Sequence, residues 1–281
     1  MIGLSESSYY YKERTGKRGR KPSNFTRHST KGMVCESEVL MAIKKILEHE
    51  FIDCGHRVMC AYLKRDGYQI NHKKVYRIMK SAGLIKSDRR IQRSGQGRKF
   101  VKYRKVKTDR PLHCLEMDIK MVWIPAMGKN AYLLSIIDVH TRKILKDLFS
   151  WTIKKKDVIN LLSNLIDEYQ YPENVVIRSD NGSQFIAKDV REFLALVNVD
   201  QEFTHIATPE ENAHIEAYHG TLKRDVFDRV EYITFGEIQD ILKRYVLFYN
   251  NKRIHGLLGN RTPSEKWELD KHMIIKKQKS A

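Results

Sequence analysis

The sequence predicts an α/β fold, a mixed five-stranded sheet with helices, preceded by a small all-helical domain. Two changes along the chain predict it. The apolar period is helical from Glu36 to residue 85 and becomes strand-like after residue 113. Between these stretches, residues 86–110 carry eleven Lys/Arg against two acids and offer no apolar face, as a linker between packed units does.

With 281 residues, 41% of them apolar, the chain can build one large core or two smaller ones. Its 52 Lys+Arg against 34 Asp+Glu leave a formal charge of +18, a self-repulsion that a polyanion relieves. Nucleic acid is the expected partner. Neutralising about eight phosphates would make log K fall with log salt at a slope near about −7. A membrane partner is not expected: no apolar run of about 18 residues occurs, and no basic helix carries a broad Trp/Leu face. The start, "MIGLSESSYYYKERTGKRGRK", lacks the apolar stretch of a signal peptide, so a cytoplasmic protein is expected. Cys35, Cys54, Cys60 and Cys114 are irregularly spaced and expected as reduced thiols.

Residues 1–35 read as a flexible basic arm, with eight Lys/Arg and one acid in 12–31 and Gly16, Gly19 and Pro22 breaking any period. A helix-turn-helix DNA-binding domain is placed at 36–86. Val39, Ile43, Ile46 and Leu47 mark its first helix, and Val58, Tyr62 and Leu63 its second. In the third, "NHKKVYRIMKSAGL", Asn71 caps the start, Val75, Ile78 and Met79 form the inner stripe and Gly83 supplies the stop. Lys73, Lys74 and Arg77 then face outward, where a DNA groove would lie. The basic linker, 87–112, adds Arg89 and Arg90 as phosphate contacts.

The second domain spans 113–268, before a basic tail at 269–281. It opens with three strands joined by short turns, "CLEMDIKMVWI", "AYLLSIID" and "KILKDLFSW". A helix with Val158, Leu161, Leu162 and Leu165 on one face follows, then the strand "NVVIRSD", the helix "FIAKDVREFLALV", the short strand "DQEFTH" and further helices. The order βββαβαβ, a meander followed by parallel crossovers, is the ribonuclease-H-like arrangement.

Asp118 falls on the first strand of this domain, in phase with Glu116 and Lys120, and Asp180 ends the fourth. If those strands are neighbours, two aspartates meet near the middle of the sheet. Gly182, in "SDNGSQF", is expected to take a positive φ and turn the chain into the next helix. In "ATPEENAHIEAYHGTLKRD", Thr208, Pro209 and Glu211 read as a capping-box helix start. There Ile215, Leu222 and Val226 form a packed stripe, and Asn212, Glu216, His219 and Lys223 a polar face beside it. Three carboxylates brought together repel by about 4 kcal/mol per pair at about 4 Å. A divalent cation removes that cost. An all-oxygen ligand set of Asp118, Asp180 and Glu216 selects Mg²⁺ or Mn²⁺, as two ions serving an in-line phosphoryl displacement.

The stretches "LEMDIKMVWI", "YLLSIIDVHTRKIL", "IRSDNGSQF", "TPEENAHIEAYHGTLKRDV" and "FYNNKRIHGLLGNRTPSE" resemble the OrfB-type transposases of the insertion-sequence-three family, relatives of retroviral integrases. The resemblance maps the family's DDE catalytic triad onto Asp118, Asp180 and Glu216, including its gap of thirty-five residues between the last two. It implies a magnesium-dependent polynucleotidyl transferase that cleaves DNA and transfers strands at insertion-sequence ends, in DNA integration and recombination. It implies double-stranded DNA as partner, both terminal inverted repeats and target, a homo-oligomer, and a partner or fusion from an upstream reading frame. Lys223 falls where the family has a basic residue near the transposon end, and Arg224 and His219 join it as expected DNA contacts. The implied location is the bacterial cytoplasm, at the nucleoid. A ribonuclease-H-like nuclease or resolvase is the alternative on the same fold. Such sites want a fourth acid in the middle of the first core helix, where Asp157, Asp167 and Glu168 do not fall.

Overall fold

A computed structural model describes residues 22–85, 107–170, 172, 174–205 and 209–274. The N-terminal domain holds three helices, α1 (Glu36–Leu47), α2 (His56–Arg65) and α3 (His72–Ser81), around Val39, Ile43, Met59, Leu63, Val75 and Ile78. Asn71 caps α3 by accepting from Lys74 N at 2.9 Å, and Gly83 turns the chain out at φ +69°.

This domain is not all-helical, and its first residues are not a loose arm. Strands β1 (Phe25–His28) and β2 (Gly32–Cys35) form an antiparallel hairpin, and β3 (Tyr68–Gln69) pairs with the far edge of β1. Thr26 and His28 point inward and are buried, while the His28 ring accepts from Thr30 N and Lys31 N and so closes the turn. Polar residues therefore do the inward work, which an apolar alternation test passes over. Residues 1–21 and most of the predicted linker, 86–106, lie outside the described residues.

The second domain carries a five-stranded sheet in the order β6-β5-β4-β7-β8. Its strands are β4 (Cys114–Ile124), β5 (Lys129–Asp138), β6 (Ile144–Ser150), β7 (Val175–Ser179) and β8 (Val199–Phe203). The β4, β5 and β6 meander is antiparallel, and β7 joins β4, and β8 joins β7, in parallel. This is the predicted topology, with the first and fourth strands adjacent. The chain runs on through α4 (Lys155–Tyr169), the short α5 (Ser183–Ile186), α6 (Lys188–Leu196), α7 (Ala213–Leu222), α8 (Phe235–Asn251) and α9 (Pro263–Asp270).

The period-2 alternation of β4 divides the interior in two. Leu115 and Met117 face α4 and α6, packing with Val158, Leu162, Val190 and Leu194. Val122 and Ile124 face the other way, into a cluster with Ile215, Tyr218 and Leu222 of α7 and Ile238, Leu242 and Tyr245 of α8. Glu116 and Asp118 share the face toward α7. The predicted tail begins later than residue 269, because the Thr262–Glu265 capping box carries α9 to Asp270, whose buried carboxylate meets His140 Nε2 and Lys266 Nζ, each at 2.6 Å.

The two domains are packed together. Phe51 and Ile52 enter the cluster beneath α8. Tyr62 OH donates to Lys252 O at 3.0 Å and accepts from Ile254 N, and Arg65 donates to both oxygens of Glu265 at 2.9 and 2.6 Å. Among the described residues, no helix is long and apolar enough to cross a membrane.

Candidate active site

β4 and β7 pair as Cys114 with Val176, Leu115 with Ile177 and Glu116 with Arg178. Carrying the same offset two residues on sets Asp118 opposite Asp180, where β7 has ended and the two chains part. Asp118 lies within β4, level with Ser135 of β5, and Asp180 is the first residue past the end of β7, so the register brings that strand end alongside the Asp118 position.

α7 crosses that face. His219 Nδ1 stands 3.1 Å from Asp118 Oδ2, and Ile119 N donates to Asp118 Oδ1 at 2.8 Å. Glu216 lies one helical turn before His219, on the exposed side of α7. The three expected residues thus lie in the middle of β4, just past the end of β7 and on the exposed side of α7. They do not form a ready-made ligand set: among the described residues, no three His, Cys, Asp or Glu side chains are grouped to hold one metal ion. Carboxylates in mutual contact repel one another strongly. The chain instead meets Asp118 with His219, and Asp180 with the Gly182 N–H, which donates to Asp180 Oδ1 at 3.0 Å.

Three sequence expectations change here. Gly182 has φ −59°, so it is not there for a left-handed turn. A Cβ on it would come within 3.0 Å of Asp180 Oδ1 and 3.3 Å of the Phe185 ring, so glycine is needed for the close approach of its backbone to the carboxylate. Glu211 does not close a capping box. It is buried, and its carboxylate accepts from His205 N at 2.9 Å and pairs with the His205 ring, while Pro209–Asn212 form a 3₁₀ turn ahead of α7. Thr208 lies outside the described residues. The His219 side chain, expected to contact DNA, is only 7% exposed and is turned down onto Asp118.

The sheet row next to the aspartates went unread in the sequence. Glu116 is fully buried and accepts from His214 N at 2.9 Å, Ile215 N at 2.8 Å and His214 Nδ1 at 2.6 Å. Arg178 beside it donates to Glu211 O at 2.9 Å and to Glu202 Oε2 at 2.6 Å. The available signal was an acid in phase with Asp118, together with a histidine two residues before Glu216. Behind α7, the helical turn Lys223–Phe227 is held by Asp225, which accepts from Tyr245 OH at 3.2 Å and Arg253 Nε at 3.0 Å. Tyr249 packs its ring on Tyr218 at 4.9 Å. Burial pushes the Tyr218 and Tyr249 hydroxyls well above the ordinary tyrosine range, so both stay neutral.

Models of an integrase core domain match residues 108–209 and 197–263, and a model of an HTH-like domain matches 35–93. The chain is 28% identical over 221 residues to the putative transposase InsK of insertion sequence IS150 from Escherichia coli K12, covering 75% of this chain and 76% of that protein. It is 25% identical over 265 residues to a 31.7 kDa protein of insertion element IS407 from Burkholderia multivorans, covering 94% and 87%. The chain carries an integrase core behind an HTH-like domain, and the relatives it matches are insertion-sequence transposases. The transposase is accordingly a polynucleotidyl transferase acting in DNA transposition and integration. Its fold also resembles the catalytic core of BIV integrase, at 17% identity and a TM-score of 0.44 over 58% of this chain and 97% of that one.

The cations that the transposase was expected to offer DNA divide into two groups. Lys223 and Arg224, just past α7, are exposed, as is Lys73 on α3. Lys74 and Arg77 are half-buried and already engaged: Lys74 Nζ donates to Phe25 O at 2.6 Å, and Arg77 pairs with Glu36 and donates to Ser23 O at 3.1 Å. The β1 strand, which was expected to be part of a loose arm, occupies Lys74, and Glu36 of α1 with Ser23 just ahead of β1 occupies Arg77. Arg89 and Arg90 lie outside the described residues.

Proposed function

We propose that Asp118, Asp180 and Glu216 are the catalytic and metal-holding residues of this transposase, and that it cleaves DNA at the ends of its insertion sequence and joins them to a target. The observation that supports the reading is the register of β4 against β7, which carried two residues on puts Asp118 level with Asp180, together with the His219–Asp118 contact that lays the helix bearing Glu216 over β4.

An all-carboxylate donor set at the open end of a sheet fits a hard divalent cation, Mg²⁺ or Mn²⁺. Asp118 and Asp180 would hold it, with Glu216 completing the set. Bound there, a pair of such ions supplies Lewis-acid stabilisation of the attacking and leaving oxygens. The chain's own residues do the rest. His219 holds the Asp118 carboxylate in place, and the Gly182 N–H does the same for Asp180. Lys223 and Arg224 stand exposed at the end of α7 to draw the phosphate backbone toward the cleft, and Lys73 offers a further contact on α3.

Two displacements at phosphorus account for the reaction. In the first, a water oxygen attacks the phosphodiester at the element's end, the P–O3′ bond breaks, and a 3′-hydroxyl is freed. In the second, that hydroxyl attacks a target phosphodiester, so one ester bond forms as another breaks. Double-stranded DNA in the bacterial cytoplasm is the substrate, and a homo-oligomer would bring two ends together.

The test is Glu216→Gln, assayed with labelled DNA ends and Mg²⁺ or Mn²⁺. Joined and cleaved products should both vanish while DNA binding stays within about twofold, since a neutral amide keeps the shape and loses the charge. Near-native strand transfer by this variant would overturn the assignment. Cut products without joined ones from the unaltered protein would make it a nuclease instead.

A further inference from the structure

Glu116 is a fully buried acid that the chemistry above does not use. Its three donors all belong to the start of α7: His214 N, Ile215 N and His214 Nδ1. That helix has no cap of its own, because Asn212 at the N-cap position makes no side-chain capping bond. The first-turn N–H groups, which a helix cannot satisfy internally, are met here by a carboxylate reaching across from β4. A negative charge at a helix N-terminus is favourable, and charge-assisted bonds of this kind are short and directional. If stability of α7 were all that mattered, an ordinary Ser or Asp at position 212 would provide it without burying an acid in the sheet.

The placement also matches in scale. Two residues along β4, from Glu116 to Asp118, advance about 6.6 Å. From His214 and Ile215 to His219, four or five residues of helix advance about 6 to 7.5 Å. α7 is therefore joined to β4 at two rungs of equal spacing, the Glu116 bonds at one and the His219–Asp118 contact at the other. Glu216 sits between them, one residue past the Glu116 rung.

We propose that Glu116 is a positioning residue for strand transfer. By clasping the start of α7 it sets the distance of Glu216 from Asp118 and Asp180. The proposal rests on the triad reading given above. A Glu116→Gln side chain can keep the oxygen that the two backbone N–H groups share, but it removes the negative charge at the start of α7 and turns an NH₂ toward the His214 ring, so the charge-assisted bonds are lost. His214→Phe removes only the ring donor and is the milder disturbance.

The experiment compares the unaltered protein, Glu116→Gln, His214→Phe and Glu216→Gln. In metal-free protein, amide exchange in the first turn of α7 should quicken in Glu116→Gln by about tenfold or more. Mn²⁺ binding followed by electron paramagnetic resonance should weaken by about 10- to 100-fold in Glu116→Gln and less in His214→Phe. Strand transfer should fall in step and recover in part at high Mn²⁺, while DNA binding stays within about twofold. A folded Glu116→Gln with faster exchange but native Mn²⁺ affinity and native strand transfer would reduce Glu116 to a structural acid and overturn the proposal. If Glu116→Gln does not fold, native metal affinity in His214→Phe overturns it equally. Retained strand transfer in Glu216→Gln would instead sink the triad reading, whatever Glu116 does.

Discussion

Glu116 and Asp118 stand two residues apart on one face of one strand, carry the same functional group, and are used in opposite ways. Glu116 has no exposed surface and three donors, whereas Asp118 keeps about a quarter of its side chain exposed, 23%, at the rim of the cleft. α3 repeats the division with cations. Lys74 is engaged by Phe25 O of β1 and Arg77 by Glu36 and Ser23 O, while Lys73 and Lys80 project into solvent. Residue type thus says little about whether a charge serves the fold or awaits a partner. What decides it is whether another element of the same chain arrives to satisfy it.

The largest test of this division within the fold is Arg178→Met. It removes the partner of Glu202 and the donor to Glu211 O beside the buried Glu116, so unfolding stability should drop by about 2 to 4 kcal/mol in denaturant titration. A loss below about 0.5 kcal/mol would mean the inner row does not hold the fold, and the contrast with Asp118 would break.

On α3 the expected effects are smaller and opposite in kind. Replacing Lys73 and Lys80 together by Ala should weaken DNA binding and flatten the slope of log K against log salt by about 2. Replacing Lys74 and Arg77 should instead lower stability by about 1 kcal/mol, read in thermal unfolding, and leave that slope less changed. Swapped outcomes would show that these contacts do not hold those cations in solution.

The same contrast can be sharpened with pH. Burial, with Arg253 and Arg142 nearby, pulls the His255 ring down from an ordinary 6.5 to about 3. A ring kept neutral in the folded chain takes up its proton more readily once unfolded. Its contribution to stability is therefore complete above about pH 6.5 and is lost progressively as the pH falls toward 3. In His255→Phe, the acid-side decline of stability between those pH values should be shallower than in the unaltered protein. An unchanged decline in unfolding titrations would place His255 with the solvent-facing groups.

Much of the second domain was legible before any coordinates. β4 covers the predicted "CLEMDIKMVWI", since strict alternation next to a cation run is a strong period-2 signal, and the order of later elements left few ways to wind the sheet. The adjacency of the strands that carry Asp118 and lead to Asp180 followed from that winding. Harder to read was whatever depended on polar atoms meeting across space. The β1–β2 hairpin turns inward on Thr26 and His28, not on an apolar stripe. His219 was expected to contact DNA, and its ring instead lies 3.1 Å from Asp118. Gly182 was expected to supply φ freedom, but its missing Cβ makes room for Asp180 Oδ1. In each case the sequence named the residue, and a partner many positions away set its use.

Aromatic rings run unbroken from the N-terminal domain into the helix above the aspartates. Phe51 meets Tyr245 edge-on at 5.3 Å between centroids, Tyr245 neighbours Tyr218 at 6.4 Å, and Tyr218 adjoins His219 at 5.5 Å, which reaches Asp118. Interior packing of this density yields little to small forces. The end of the molecule that carries α3 and the end that carries the carboxylates therefore turn as one piece, like two marks on a single ruler, and the span between them is fixed by the protein and not by the nucleic acid laid across it.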